Sequence, residues 1–171
     1  MDLTASMGVP TGVFRDYPWW QDPIRDEGQD CPTCGRFLKV YHRRLSRSMA
    51  RSLVRLYRLT SASMNQQKFF HVKQFDKEKA RGEFGVLSSW GLVEEAPNND
   101  RFKKTSGMWS ITPFGVDFVS LRENVPQYVI LKWKSSHLGF SGPMVNIKDC
   151  LEHGNHFKYD ELMASSGDIL F

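Results

Sequence analysis

At 171 residues, with 40% apolar and 25% charged side chains and a formal net charge of +4, the chain is long enough to bury a core and too apolar to be disordered as a whole. No apolar run approaches the ~18–20 residues of a membrane span, and Met1-Asp2-Leu3-Thr4 is not a basic start leading into an apolar stretch. Three cysteines cannot all pair, which argues against a disulfide framework, so the expectation is a cytoplasmic protein without a membrane segment, in a reducing compartment.

Charge is segregated along the chain. Residues 1–30 hold two arginines against six acids, residues 31–104 sixteen Lys or Arg against six, and residues 105–171 five against seven. The middle of the chain therefore carries a local basic field, and such a field attracts polyanions more strongly than the overall total implies.

Gly8, Pro10, Gly12, Pro18, Pro23 and Gly28 break any period across residues 1–30, which predicts an irregular arm. Its aromatics Phe14, Tyr17, Trp19 and Trp20 would either dock the arm on the domain or grip a protein partner. Next, Cys31-Pro32-Thr33-Cys34-Gly35 has the spacing of a zinc knuckle, in which two thiolates hold one ion. Tetrahedral zinc needs two further ligands, for which Cys150 and His153, or His42, His71, His137 and His156, are candidates. One structural zinc is one reading; a redox pair and a plain turn are the others.

Tyr41 to about Thr60 has the clearest helical pattern, with Leu45, Met49, Leu53 and Leu56 on one face. Arg43, Arg47, Arg51, Arg55 and Arg58 fall on the opposite face, and no acid occurs between Asp30 and Asp76 to neutralise them locally. A solvated basic face would explain such a row, but five guanidiniums without a carboxylate fit phosphate contact better. Lys68 to Val72 reads as a short strand or a loop. Asp76 is placed to cap a helix from about Lys77 to Ser89, which Gly91 ends.

Leu92 to Glu95 and Met108 to Ile111 then read as a hairpin with a long polar tip carrying Arg101, Lys103 and Lys104. Thr112 caps a helix from Pro113 to about Arg122, with Phe114, Phe118, Val119 and Leu121 as its apolar face. Tyr128 to Trp133 reads as a strand, Ser135 to Pro143 as a turn, and Met144 to Ile147 as the return strand. Asp149 to His153 and Asp160 to Ala164 are short helical candidates, Asp160 serving as a cap.

The stretch Leu87-Ser88-Ser89-Trp90-Gly91-Leu92-Val93-Glu94-Glu95, a basic tip, and then Gly107-Met108-Trp109-Ser110-Ile111-Thr112-Pro113-Phe114-Gly115 resembles the winged-helix domains of MarR-type and PadR-type regulators. The resemblance covers Phe75 to Leu121. With the arm and C-terminal hairpin read above, the expected fold class is α+β: a winged helix-turn-helix with a C-terminal β-hairpin and an irregular N-terminal arm. The expected organisation is an arm at 1–30, a winged-helix domain with its basic helix and knuckle at 31–123, and the hairpin with short helices at 124–171, and only the winged-helix part rests on the resemblance. It further implies that the helix from Lys77 to Ser89 enters the major groove, offering Lys77, Lys79, Arg81, Ser88 and Ser89, while Arg101, Lys103 and Lys104 reach phosphates or the minor groove. Glu78 and Glu83 on the same helix leave it only modestly positive, which keeps protein contact open as its role.

Signals of catalysis are thin. Gly-x-Ser-x-Gly, phosphate-binding loops and His-Glu-x-x-His do not occur. Glu94 and Glu95 are adjacent on a strand, so they point to opposite faces and cannot work as an acid–base pair. The expectation is a double-stranded DNA-binding protein and not an enzyme, a small transcriptional regulator of phage type. A homodimer would read two half-sites. The alternative is a winged-helix protein-interaction module without a DNA role.

Overall fold

The computed structural model describes residues 28–30, 37–63, 68–76, 83–132, 136–152 and 159–164. The chain divides into two compact units, Met1–Val40 and Tyr41–Phe171. The described part of the first contains β1 (Gln29–Asp30) and β2 (Phe37–Leu38), antiparallel with Gln29 opposite Leu38 and Asp30 opposite Phe37. The rest of the arm and the Cys31–Cys34 knuckle lie outside the described residues.

The second unit is mixed α+β. Its elements are β3 (Val40–Arg44, whose first residue belongs to the first unit), α1 (Arg47–Ala62), β4 (Phe70–His71), and the 3-10 helices η1 (Val72–Gln74) and η2 (Phe84–Trp90). There follow β5 (Val93–Glu95), β6 (Met108–Ile111), α2 (Pro113–Val119), β7 (Val125–Lys132), β8 (Ser136–Val145), α3 (Ile147–Glu152) and α4 (Tyr159–Ala164). Two small sheets result, one in the order β4-β6-β5 and one in the order β3-β7-β8.

The helix expected from Tyr41 begins instead at Arg47. Val40-Tyr41-His42-Arg43-Arg44 is a strand, as suits its β-branched and aromatic residues. Ser46 takes an extended conformation, and its hydroxyl accepts from Met49 N at 3.4 Å, so the N-cap sits six residues later than the hydrophobic period suggested. The expected apolar stripe is present: Leu45, Met49, Leu53 and Leu56 are all buried.

The hairpin after η2 agrees with its sequence. Val93 opposes Ile111, Glu94 opposes Ser110, and Glu95 opposes Trp109. Backbone bonds from Thr112 N to the Leu92 oxygen (3.1 Å) and from Ala96 N to the Met108 oxygen (2.9 Å) extend it at both ends. The stretch before η1 resolves into a strand, β4, antiparallel to β6 on its other side. Gly91 ends η2 with a φ of +72°, a conformation that any side chain would strain. Thr112 accepts from Gly115 N at 2.9 Å and donates to the Gly91 oxygen at 2.6 Å, so one hydroxyl caps α2 and fastens the exit of η2. A Cβ on Gly115 would overlap the Leu92 carbonyl and stand 2.8 Å from Ile111 Cγ1, which is why α2 can approach β5 and β6 so closely. α2 stops at Val119, short of the expected Arg122. Leu121 adopts a φ of +62° and is exposed, where an apolar-face residue was expected.

The C-terminal hairpin is longer than its sequence suggested. Ser136 to Pro143 belongs to β8 and not to a turn, with Lys132 opposite Ser136 and Val125 opposite Val145. Gly139, Gly142 and Pro143 suggested a turn, but two register shifts, between Pro126 and Tyr128 and between Ile130 and Leu131, absorb them within the ladder. Asn146 and Ile147 are not strand: Asn146 and Asp149 exchange backbone-to-side-chain bonds at 2.8 and 3.0 Å, a cap that starts α3. Asp160 lies in the first turn of α4 and is not its cap.

One core joins these elements. α1 lies at its centre and packs against β6, η2, α2, α3 and α4. Each buried Leu or Phe in it contributes roughly 1.5–3 kcal/mol by leaving water. Polar ties run between the elements up to α2 and the C-terminal part. Trp90 Nε1 donates to the Pro126 oxygen at 2.8 Å, Tyr159 Oη to the Val119 oxygen at 2.6 Å, and Arg58 Nη1 to the Leu162 oxygen at 3.2 Å. Among the described residues no helix is long and apolar enough to cross a membrane.

Candidate nucleic-acid interface

The loop from Ala96 to Gly107 is pinned along its length. Asn98 Oδ1 accepts from Asp100 N at 3.0 Å, and Asp100 Oδ1 accepts from Phe102 N at 2.9 Å, two successive turns of the kind Asn and Asp favour. Asn98 Nδ2 donates to the Lys103 oxygen at 2.6 Å, and Asp100 pairs with the Lys103 ammonium at 3.3 Å. At the base, one carboxylate oxygen of Glu95 accepts from Ser106 N (2.7 Å), Ser106 Oγ (3.2 Å) and Gly107 N (3.4 Å). Glu94, its neighbour, pairs with Lys68 at 2.8 Å. The two carboxylates thus serve different partners, as alternation along a strand requires.

This framework holds Arg101, Lys103 and Lys104 out in solvent, together with Phe102. Among the described residues Arg101 and Lys104 make no ion pair. The tip was expected to be basic. Its rigidity was not legible, because the Glu95 clasp joins residues eleven and twelve positions apart. The Asn98 and Asp100 turns were the available signal.

Of the expected groove-reading residues, Lys77, Lys79 and Arg81 lie outside the described residues, as do Glu78 and any helix that Asp76 would cap. The described portion, Phe84–Trp90, is a 3-10 helix where an α-helix was expected; Gly85 within it and Gly91 at its end weaken the wider turn. Ser88 is exposed and donates to the Gly85 oxygen at 2.7 Å. Asp76 accepts from the buried Ser52 hydroxyl at 3.1 Å, tying α1 to the segment that leads into residues 77–82. An open groove of about 620 Å³ lies alongside, lined by Lys73, Asp76, Ser88, Glu95, Thr105 and Trp109 among others. Two carboxylates on its walls make it a poorer seat for a polyanion than the exposed cations of the loop tip.

The arginine row divides. Arg43 stands on β3, exposed, over the ring of Tyr41 at 5.7 Å, and not on the helix face expected for it. Arg47, Arg51, Arg55 and Arg58 share one face of α1 and are each half-buried. Arg51 Nε and Arg55 Nη1 are shielded from solvent, and Arg58 anchors α4 through Leu162. The row is therefore part of the packing around α1 as well as a source of positive field. Periodicity reports which residues share a face, not what covers it.

For the metal expectation, Cys31 and Cys34 lie outside the described residues, as do His153 and His156. His71 Nδ1 accepts from Lys73 N at 3.2 Å as the cap of η1. Cys150 is buried, and that burial, with Asp149 beside it, pushes its thiol up to about 12 against the opposing pull of Arg44. Among the described residues no group of three His, Cys, Asp or Glu could hold a metal.

The same thiol sets a pH dependence. Between about pH 9 and about pH 12 the unfolded chain gives up this proton while the folded chain keeps it, so stability falls as pH rises through that window, by about 1.4 kcal/mol per pH unit. Tyr159, also raised chiefly by burial, acts in the same direction. Urea unfolding at about pH 8 and about pH 10 is expected to show the loss, and Cys150→Ala is expected to reduce it; an unchanged slope in that variant would remove Cys150 as the cause.

Compared with protein-family models, curated proteins and solved structures, the chain finds no match in any of the three.

Proposed function

We propose that this chain binds double-stranded DNA as a small transcriptional regulator of phage type, in the cytoplasm and without catalysis. The observation that carries the reading is the wing tip, where Arg101, Lys103 and Lys104 stand exposed on a loop fixed by Asn98, Asp100 and Glu95. Cations held out on a fixed loop meet phosphates without a large ordering cost.

The order of elements supports a winged helix-turn-helix. A long helix is followed by a short strand, helical turns and a hairpin, and the inner strand of that hairpin, β6, pairs with both β4 and β5. In this reading residues 77–89, Ser88 among them, supply base contacts, and Arg43 and the α1 arginines add to the field. The spacing of Cys31 and Cys34 in the sequence supports one structural zinc, with two further ligands to complete it. A homodimer would set the spacing of two half-sites.

Phe140 and Met144, exposed on β8, favour a second reading as a protein-interaction module. Binding to random-sequence duplex DNA, followed by fluorescence anisotropy across roughly 50–200 mM salt, separates the two. The DNA reading expects affinity to fall with a log–log slope of about −3 or steeper, close to −0.9 for each phosphate neutralised. No binding at the lowest salt would leave the protein-partner reading standing.

A further inference from the structure

We propose that Phe102 is an intercalating wedge that enters a base step of the duplex held by the wing, an inference that rests on the DNA-binding reading above. Phe102 is 100% exposed. Phenylalanine is among the side chains that folding most regularly removes from water, and nothing in its own loop shelters this one. Nor is it a side chain on a slack segment. Its amide is held by Asp100, the next residue's carbonyl by Asn98, and the next residue's ammonium by Asp100 again. With Glu95 clasping the loop's base through Ser106 and Gly107, the tip presents the ring outward.

The immediate neighbours say what the ring faces. Arg101 precedes it, Lys103 and Lys104 follow it, and all three are exposed. A membrane-inserting or protein-docking aromatic needs further apolar side chains beside it, and residues 98–106 contain no other large apolar residue. A lone aromatic ringed by cations suits a polyanion whose interior is stacked rings. The cations hold the phosphates on either side of the groove while the ring unstacks one step and bends the duplex. The bend in turn brings more backbone against the protein, which offsets the unstacking.

The test uses the full chain, short duplexes carrying 2-aminopurine at successive steps, and the same duplexes labelled at both ends for energy transfer. Wild type is expected to raise the 2-aminopurine emission and shorten the end-to-end distance. Phe102→Ala is expected to abolish both and to weaken binding about ten-fold, with a salt slope shallower only by the phosphates that the bend had brought in, because the slope counts phosphates and not stacked rings. Phe102→Trp is expected to restore both signals. Being wholly exposed, the position can be changed without loss of folding, which a thermal melt of each variant checks. If wild type binds duplex without either signal, or Phe102→Ala keeps them, the wedge is overturned and the DNA reading survives. If wild type binds no duplex at low salt, both fall. Co-sedimentation with phosphatidylserine vesicles that depends on Phe102, without duplex signals, would overturn the wedge in favour of a membrane-facing tip.

Discussion

Arg101→Glu combined with Lys104→Glu is expected to weaken binding to random-sequence duplex about 10²-fold at low salt, and to make the log–log salt slope shallower by about two. Each side chain is exposed at the tip, and neither forms an ion pair among the described residues, so each is available to one phosphate. Removing a contact loses roughly 0.9 counterions, and the new carboxylate adds repulsion from the strand that the cation had met. Lys103 is left in place deliberately. Its ammonium pairs with Asp100, and reversing it would set two carboxylates together and loosen the turn that shapes the loop. With that turn intact the melting temperature is expected to stay near wild type, so anisotropy and a thermal melt together isolate the electrostatic effect. Wild-type affinity in this variant would remove the loop at 96–107 from the proposed interface.

The arginines of α1 are a less clean target. The pattern in the sequence makes Arg47, Arg51 and Arg55 the obvious set to reverse, but all three are half-buried, and nitrogens of two of them are shielded from solvent. Glutamates placed there would lie against packed elements and lower stability whether or not DNA is bound. Loss of binding in such a variant says little without a melt beside it.

The contrast between these two groups marks how far the sequence could be read. Local signals reported faithfully: Thr112-Pro113 opens α2, Gly91 closes η2, and the alternation around Val93 and Ile111 makes a hairpin. Each depends on residues within a few positions of one another. The failures arise where distant packing decides. Tyr41–Arg44 fits a helical period, but it pairs into the sheet with β7, and Leu45 N donates to the Gln127 oxygen at 2.9 Å. Ser136–Pro143 carries turn residues, but β7 pairs along its whole length with β8 and accommodates them at two register shifts. At the candidate site the cations were legible as composition. What makes the tip a presenting surface, the reach of Glu95 to Ser106 and the full exposure of Phe102, needed the fold.

The largest stability effect at the interface is expected from Phe84→Ala, which should lower the free energy of unfolding by about 3–5 kcal/mol. Phe84 is 1% exposed and packs against Phe75 at 4.7 Å between ring centroids and edge-on against Trp109 at 5.6 Å. Truncation forfeits the transfer of the ring, leaves a cavity that its aromatic neighbours fill only in part, and removes two aromatic pairs worth about 0.5–1.5 kcal/mol each. Gly85, whose place Trp109 closely bounds, shows that the backbone of η2 already lies against that indole, so the helix has little room to settle inward. Since whole-domain stability is typically about 5–15 kcal/mol, the variant is expected to populate unfolded chain at moderate temperature. Urea unfolding followed by tryptophan emission measures the shift, with Phe84→Leu as the volume-conserving control, expected to cost less than about 1.5 kcal/mol. A loss below about 1 kcal/mol in Phe84→Ala would mean that η2 is not seated on the β4-β6-β5 sheet through this ring. Phe84 joins η2 to β6, the strand that pairs with both β4 and β5, so that result would also detach η2 from the proposed winged arrangement.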